Sequence, residues 1–386
     1  MSSQPGVRKT IPVAKPFLGL EEERAVAEVL RSGWVSQGPV VAEFEKRFAA
    51  YVGAENAIAV SSCTTALHLA LVAAGVRPGD EVLCPSLSFI ATANAIVHAG
   101  AVPVFVDIDR DTYNMSPDRA EEAVTPRTRA ILLVHQIGLP AAIDEIAAIA
   151  GRRGVMLVED AACAIGSEYA GQRIGRPHSV AACFSFHPRK ILTTGEGGMI
   201  TTADGALAER IRRLRQHAMS VSDLKRHSSG QVVFEHYDEV GWNYRMTDIQ
   251  AAVGLAQLAR MDGFLSRRRY LANRYSQALG AVPWLKVPEA PTGHRHNFQS
   301  YMVRLLPSAP VTRDEVMARL LECGISTRRG IMAIHHEQPY SDPKWDALLP
   351  ETNAAAATTI VLPLFAEMTD EDQDYIIERI CNIAAH

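Results

Sequence analysis

The chain has 386 residues, 47% of them hydrophobic, which is enough for a large core and predicts two structural units. Its 39 Lys and Arg residues stand against 43 Asp and Glu residues, and the formal net charge of −4 is mixed along the sequence. This balance argues against a nucleic-acid-binding protein, which carries a basic surface, and favours a small-molecule ligand.

The first residues and the cysteines indicate the compartment. Residues 1–12 lack the apolar centre of a signal peptide, and no apolar run approaches the ~18 residues that a membrane helix needs. We therefore expect a cytoplasmic protein with no membrane partner. The six cysteines form no CxxC pair, and most lie in apolar segments, so neither a disulfide framework nor a zinc site is indicated and no metal is expected.

Short apolar runs alternate with helical patterns through the first two thirds of the chain. This alternation predicts βαβ units and an α/β fold with a mostly parallel sheet covered on both faces by helices. Helices are predicted over Thr64–Ala74, Ile90–Ala99 and Ile143–Arg152. The predicted buried strands are 57–60, 81–85, 102–107, 130–135, 155–160 and 183–186.

The pattern changes after Met246. One long helical pattern continues to about residue 279, and a strand near 297–306 and a helix near 313–324 follow. We predict a large domain over 13–250, a smaller α+β C-terminal domain over 251–386, and an extended N-terminal arm over 1–12.

Ligands of such sheets bind beyond the carboxyl ends of the strands, and three polar groups follow strand ends here. Thr64 and Thr65 begin a helix whose free N–H groups suit a phosphate, although a plain helix cap is the simpler interpretation. Asp160 ends a strand, where it could cap a turn or face a cationic ring nitrogen. Lys190 follows the strand CFSF and is either a surface lysine or an amine that condenses with an aldehyde.

Taken together, these groups match pyridoxal phosphate. Its phosphate needs donors, its ring nitrogen needs an anion and its aldehyde needs an amine. The segment TTGEGG after Lys190 would let the backbone approach a ligand closely, but its spacing does not match a nucleotide-binding P-loop.

At these residues the sequence resembles the DegT/StrS family of pyridoxal-phosphate sugar aminotransferases, which have the fold type I architecture. The resemblance runs nearly end to end and includes GDEVLCPSLSFIATANAI, VEDAACAIGSEYAG, FSFHPRKILTTGEGGMI and GWNYRMTDIQAAVGLAQLARMD. It implies that Lys190 forms the Schiff base with the cofactor and that Asp160 contacts the pyridine nitrogen. Phe89 matches a ring that stacks on the cofactor, and Ser185 matches a phosphate-binding hydroxyl.

The resemblance further implies a homodimer, because Asn243 matches an asparagine that reaches the phosphate from the neighbouring subunit. Two positions depart from the family pattern. Cys63 replaces a glycine or alanine before the phosphate-binding threonine, and Cys163 replaces a glutamine or histidine that approaches the cofactor ring. A thiol is the weaker hydrogen-bonding group, so the tuning of the ring hydroxyl is expected to differ.

The function implied is a ping-pong transfer of an amino group from glutamate or glutamine to a keto group of a nucleotide-linked deoxysugar. A keto-cyclitol or another non-nucleotide carbonyl is an alternative acceptor. A sugar dehydratase of the same family is disfavoured, because those members carry histidine in place of the lysine. A non-catalytic cofactor-binding regulator would need a DNA-binding or membrane-binding element, and the sequence shows neither.

The substrate-binding residues are predicted from charge alone. Residues 326–340 offer Arg328, Arg329, His335 and His336, which could bind a diphosphate or the α-carboxylate of the donor. A solvated charged loop is the alternative interpretation of this segment. His187 could shape the acceptor pocket or fill the end of a strand.

Overall fold

The computed structural model of the chain describes residues 10–383 except 222–225, 227–229, 231 and 233. Within this range the helices are α1 Leu20–Ser32, α2 Pro39–Val52, α3 Cys63–Ala73, α4 Ala91–His98, α5 Pro117–Ala123, α6 Ile143–Arg153, α7 Gly205–Leu214, α8 Asp248–Ala259, α9 Met261–Leu279, α10 Arg313–Glu322, α11 Lys344–Leu348, α12 Pro350–Thr358 and α13 Asp370–Cys381. The strands are β1 Asn56–Val60, β2 Glu81–Pro85, β3 Val102–Val106, β4 Thr128–Val134, β5 Met156–Asp160, β6 Glu168–Tyr169, β7 Gln172–Arg173, β8 Ala181–Ser185, β9 Gly198–Thr202, β10 Leu285–Lys286, β11 His294–Arg295, β12 Tyr301–Leu305, β13 Arg328–Arg329 and β14 Thr359–Leu362.

The main sheet has seven strands in the order β1-β9-β8-β5-β4-β2-β3. The strands β3, β2, β4, β5 and β8 run parallel to one another, whereas β9 is antiparallel to both β8 and β1. All six predicted strands are present to within two residues at either end. The strand β9 was not predicted, and it makes one edge of the sheet antiparallel.

Both faces of the main sheet are covered, as the apolar runs predict. Along β4, Ala130 and Leu132 pack in one hydrophobic core, and Ile131 and Leu133 pack in the other. Successive residues of a strand point to opposite faces, so a strand without polar positions must be buried on both sides. Because β3, β2, β4, β5 and β8 run parallel, their carboxyl ends and the residues that follow them lie at one edge of the sheet.

The predicted long helix after Met246 is wrong in detail, because it is two helices. The chain leaves helical geometry at Arg260, with φ −104° and ψ 5°, and α9 starts at the next residue. Arg260 pairs with the Glu22 carboxylate and lies over the rings of Phe17 and Phe264. These contacts connect the break to the N-terminal part of the chain.

A second sheet, of order β10-β12-β14-β13, is entirely antiparallel and has a hydrophobic core of its own. A small three-stranded sheet of order β11-β6-β7 joins residues 294–295 to residues 168–173. The predicted boundary after residue 250 falls inside α8, and the division into two domains stays a prediction. Of the predicted arm, residues 1–9 lie outside the described residues, and Ile11 forms a parallel bridge with Ile325.

Candidate active site

Lys190 and Asp160 lie at the carboxyl ends of adjacent strands. Asp160 is the last residue of β5, and Lys190 follows β8 by five residues. The two strands pair in parallel, with Asp160 opposite Cys183. The charges are close enough that each lowers the free energy of the other's ionised form.

The Asp160 carboxylate is buried and is held by two donors. Thr92 donates its hydroxyl to Oδ2 at 2.9 Å, and the backbone N–H of Ala162 donates to Oδ1 at 3.2 Å. Burial raises the pKa of Asp160, while these hydrogen bonds and the charges of Lys190 and His135 oppose the shift. A buried carboxylate with this raised pKa gains most from a cationic partner, which is what a pyridinium nitrogen provides.

The Lys190 amine is directed at a thiol. Its Nζ lies 3.0 Å from the Sγ of Cys163, the residue where family members commonly carry glutamine or histidine. Burial acts to lower the pKa of Lys190, but its interactions with Cys163, which include a hydrogen bond, and with Cys63 and Asp160 outweigh burial and raise the pKa above its usual value. Cys163 is thus an immediate neighbour of the amine in this chain.

The predicted phosphate seat is a well-formed helix start. Ser62 caps α3, and Thr65 completes a capping box, because its backbone N–H donates to the Ser62 Oγ at 3.2 Å and its Oγ1 accepts the Ser62 N–H at 3.1 Å. Thr65 therefore takes part in the helix cap, and its contact with a phosphate stays a prediction. The hydroxyl of Thr64 is not part of that box, and the backbone N–H groups of the first helical turn are those that an anion can use.

The glycine that pairs with Ser185 across β8 and β9 lies against this helix start. Ser185 pairs with Gly198 on β9, and a Cβ at position 198 would lie 2.5 Å from the backbone of Ser62 and 2.7 Å from the N atom of Cys63. Only glycine lets β9 lie against the first turn of α3 at this distance. The glycine-rich segment after Lys190 therefore makes a close approach to the helix start, which is where the phosphate would bind.

Phe89 and Asn243 are both exposed to solvent in the single chain. Phe89 has 62% of its surface exposed, which is high for a phenylalanine and is consistent with a ring that covers a ligand. Asn243 is exposed and forms an isolated antiparallel bridge with Gln216. Neither side chain contributes to the hydrophobic core.

Among the four candidate substrate residues after position 326, Arg328 interacts through its charge with Arg189, the residue before Lys190. Arg328 lies on β13, where burial and the neighbouring charges of Arg189 and Arg329 lower its pKa. Arg329 is exposed and has Glu337 3.9 Å away. His335 is buried, and its Nδ1 lies 2.7 Å from the Ser86 Oγ while its Nε2 lies 3.0 Å from the Asn353 Oδ1.

His187 is half-buried at the start of the turn that carries Lys190. Its Nδ1 accepts the backbone N–H of Arg189 at 3.2 Å, and burial together with Arg189 lowers its pKa. This contact holds the turn that leads into Lys190. Both interpretations of His187, an acceptor contact and a filler at a strand end, are compatible with its position.

The sequence did not indicate the segment that holds the two sides of the site. Gln299 accepts the N–H of Ile191 at 3.1 Å and donates to the carbonyl of Arg189 at 2.7 Å, on either side of Lys190. Asn297 donates to the carbonyl of Cys163 at 2.7 Å, and its Oδ1 accepts the N–H of Gln299 at 2.7 Å. Two amides from one short segment therefore fix the backbone of both Lys190 and Cys163.

The DegT/DnrJ/EryC1/StrS aminotransferase family profile matches residues 17–381. The chain belongs to this family. It is 42% identical over 378 residues to the spore coat polysaccharide biosynthesis protein SpsC of Bacillus subtilis, a match that covers 97% of each chain.

Solved structures agree with this assignment. The aminotransferase TlmJ of Streptoalloteichus hindustanus is 37% identical, with a TM-score of 0.89 over 97% of this chain and 99% of that one. DesI, whose crystal structure was determined in the presence of its TDP-sugar product, is 32% identical, with a TM-score of 0.88 over 98% of this chain and 93% of that one. The predicted fold type I architecture, the aminotransferase class and the use of pyridoxal phosphate are confirmed.

The residues present fit this cofactor. An amine, a buried carboxylate and a helix start with free N–H groups correspond to its aldehyde, its ring nitrogen and its phosphate. The close approach of Gly198 described above leaves no room for a side chain at position 198 between β9 and the helix start. Among the described residues, no helix is long and apolar enough to span a lipid bilayer.

Proposed function

We propose that this chain transfers an amino group from glutamate or glutamine to a keto group of a nucleotide-linked deoxysugar in two alternating half-reactions. The observation that carries the proposal is the position of the Lys190 amine and the buried Asp160 carboxylate near the carboxyl ends of two adjacent strands. Membership of a sugar aminotransferase family and the TDP-sugar product of DesI support a nucleotide sugar as the acceptor.

Pyridoxal phosphate, when bound, supplies an electron sink that makes the α-proton of an amino acid acidic. Lys190 would bind it covalently through Nζ. After the donor has displaced Lys190, the free amine would take the proton from the donor Cα and return it on the cofactor side, acting as general base and then as general acid. The 3.0 Å contact with the Cys163 Sγ would orient this amine.

Asp160 would keep a proton on the ring nitrogen, because a buried carboxylate stabilises a cation beside it. Thr92 and the Ala162 N–H orient the carboxylate, and the exposed ring of Phe89 would cover the cofactor face. The helix start at Thr64, together with Ser185, would bind the phosphate.

The active site is proposed to be complete only in a homodimer, with Asn243 of one subunit reaching the phosphate of the other. The exposure of Asn243 supports this arrangement. So does the exposure of apolar side chains in the preceding segment, since Phe234 is 87% and Val240 is 82% exposed in the single chain. Surfaces of this kind are typical of subunit contacts.

A cytoplasmic location stays a prediction.

Arg328 is the residue that we propose for the anionic group of a substrate. Its charge interacts with that of Arg189, the residue before Lys190. Two guanidinium groups at this place would attract a carboxylate or a diphosphate, and guanidinium groups form paired hydrogen bonds with either anion. Arg329 and His335 are not assigned to the substrate, because Arg329 faces Glu337 and both ring nitrogens of His335 have partners.

Two spectroscopic and mass-spectrometric steps test the proposal. Addition of glutamate or glutamine to the loaded protein should convert the cofactor absorbance from the aldehyde-derived form to the amine form. A panel of keto-sugar nucleotides and keto-cyclitols should then restore the original spectrum, with the aminated product identified by its mass. Restoration by cyclitols alone would contradict the nucleotide-sugar assignment, and a spectrum unchanged by either donor would contradict the donor assignment.

A further inference from the structure

Two histidines, an aspartate and an asparagine lie close together near Ser86, the residue that follows β2. His335 and His336 lie in a short 3₁₀ turn, Asp346 is on α11 and Asn353 is on α12. The Nε2 atoms of His335 and His336 lie 3.0 Å and 2.8 Å from the same Asn353 Oδ1. One ligand atom from each of His335, His336 and Asp346 lies within 4.8 Å of the others.

His335 is already held in the manner of a metal ligand. It is 3% exposed, and its Nδ1 lies 2.7 Å from the Ser86 Oγ, which also accepts the backbone N–H of His335 at 3.2 Å. A histidine that binds a metal uses one ring nitrogen for the ion and the other for an oxygen of the protein, which fixes the ring and its tautomer.

The other groups complete a mixed nitrogen and oxygen set. The ring centroids of His335 and His336 are 4.3 Å apart, and the His335 Nε2 lies 3.7 Å from the Asp346 Oδ1. Both imidazoles place Nε2 within hydrogen-bond distance of a single amide oxygen, so the two ring nitrogens face one small volume. Two imidazoles and a carboxylate suit Zn²⁺, Co²⁺ or Ni²⁺, whereas Mg²⁺ and Ca²⁺ prefer oxygen ligands alone.

We propose that His335, His336 and Asp346 form a binding site for a divalent transition-metal ion of the zinc type, with Asn353 or water as a further ligand. The site does not depend on the proposed transaminase reaction. No zinc site was expected from the sequence, because only the cysteine pattern was considered. The ligands proposed here come from a 3₁₀ turn and two helices that are brought together by the fold.

The consequence of this site would be structural. The metal would connect α11 and α12 to Ser86, which follows β2 directly. The Oγ of Ser88, two residues further on, lies 2.8 Å from the Oγ1 of Thr92, and Thr92 donates to Asp160. A bound metal would therefore stabilise the segment that supports the Asp160 carboxylate.

The test uses the full-length protein without a histidine tag, stripped of metal with a chelator and dialysed. Zn²⁺ is titrated by calorimetry, and Co²⁺ is added as a probe because its visible absorption reports nitrogen and oxygen ligands in a compact geometry. The variants are His336→Leu and Asp346→Asn, since both residues are exposed and neither is expected to disturb folding. The control is His236→Leu, which removes another exposed histidine that lies near an aspartate, Asp238, at 3.7 Å.

The wild-type chain and the His236→Leu control should bind one equivalent of Zn²⁺ and give the same Co²⁺ spectrum. Each of the two site variants should weaken binding by more than the ~10–100-fold lost when an outer-shell partner of a metal is removed. Zn²⁺ should also raise the melting temperature of the wild type but not of His336→Leu. The proposal is overturned if the wild type binds no metal, or if both site variants retain the wild-type affinity.

Discussion

The Nζ of Lys190 lies 3.0 Å from the Sγ of Cys163, so the amine expected to hold the cofactor has a thiol as its immediate neighbour. Most of the other polar contacts of the site hold the backbone around Lys190 and Cys163 or orient the Asp160 carboxylate. This contact is the one that acts on the reactive nitrogen directly. It is also where the chain departs from the pattern that its family commonly shows.

Replacement of this thiol should shift the pH dependence of cofactor recombination. The anionic form of Cys163 helps to raise the pKa of Lys190, and a serine hydroxyl stays neutral, so the pKa of the amine should fall in Cys163→Ser. Only the neutral amine attacks an aldehyde. The rate at which the apo protein recombines with pyridoxal phosphate should therefore reach half its maximum at a lower pH. Cys323→Ser, at a thiol of the C-terminal part, is the control, and equal midpoints in both variants would contradict the account.

Asp160→Asn should lower activity and raise stability at the same time. Loss of the carboxylate should reduce kcat by about 10²–10³-fold, the range for removal of one electrostatic group from a catalytic site. Because burial raises the pKa of Asp160, its ionisation opposes folding above the unfolded-state value of about 3.9.

The cofactor-free variant should thus melt at a higher temperature than the wild type at pH 7, by ~2–4 °C for each kcal/mol gained. The difference should shrink as the pH falls through the raised pKa towards about 4. Asp118→Asn, at an exposed residue of α5, should change neither property. A cofactor-free variant that is less stable than the wild type at pH 7 would show that the carboxylate is held mainly by its hydrogen bonds.

Gln299→Ala should loosen the backbone on both sides of Lys190. It leaves the N–H of Ile191 and the carbonyl of Arg189 without their partner, at a cost of about 1–3 kcal/mol in the free energy of unfolding for a buried group. Urea unfolding should show this loss, and the affinity for pyridoxal phosphate should fall with it. The exposed Gln338, changed to Ala, should leave both quantities unchanged. Normal cofactor affinity in Gln299→Ala would mean that the segment does not position the lysine.

Arg328→Ala should raise the KM of one substrate by about 10–150-fold, which corresponds to the 1.5–3 kcal/mol of a hydrogen bond to a charged group. Arg329→Ala serves as the matched comparison, because both arginines are exposed neighbours on β13 but Arg329 faces Glu337. Its effect on KM should be under about threefold, as for a surface ion pair. Steady-state kinetics with each substrate varied in turn would identify which one uses Arg328. Equal KM values for all substrates in wild type and Arg328→Ala would refute the role.

Local sequence patterns predict much of this fold and only part of its site. The strands of the parallel sheet were found because each is an uninterrupted apolar run, and Asp160 and Lys190 were found because they follow such runs. The strand β9 was missed because Gly198–Thr202 begins with a glycine and ends with two threonines, directly after a glycine-rich turn. The break between the two helices lies at Arg260, which is neither glycine nor proline, so the helical pattern of the sequence continues across it.

Contacts between distant residues leave no such pattern. Thr92 and Asp160 are separated by 68 residues, and Gln299 and Ile191 by 108. No periodicity within either segment predicts these pairs, because they depend on how the strands are ordered in the sheet. The histidine and aspartate cluster near Asn353 is of the same kind.

The most direct test of the account is to locate the residue that binds the cofactor. The protein is loaded with pyridoxal phosphate, reduced with borohydride, digested and analysed by mass spectrometry, with Lys190→Ala treated in parallel. The account predicts one reduced cofactor per chain, attached to the Nζ of Lys190, and no label in the variant. A label on another side chain, or a protein that stays colourless with the cofactor, would contradict it.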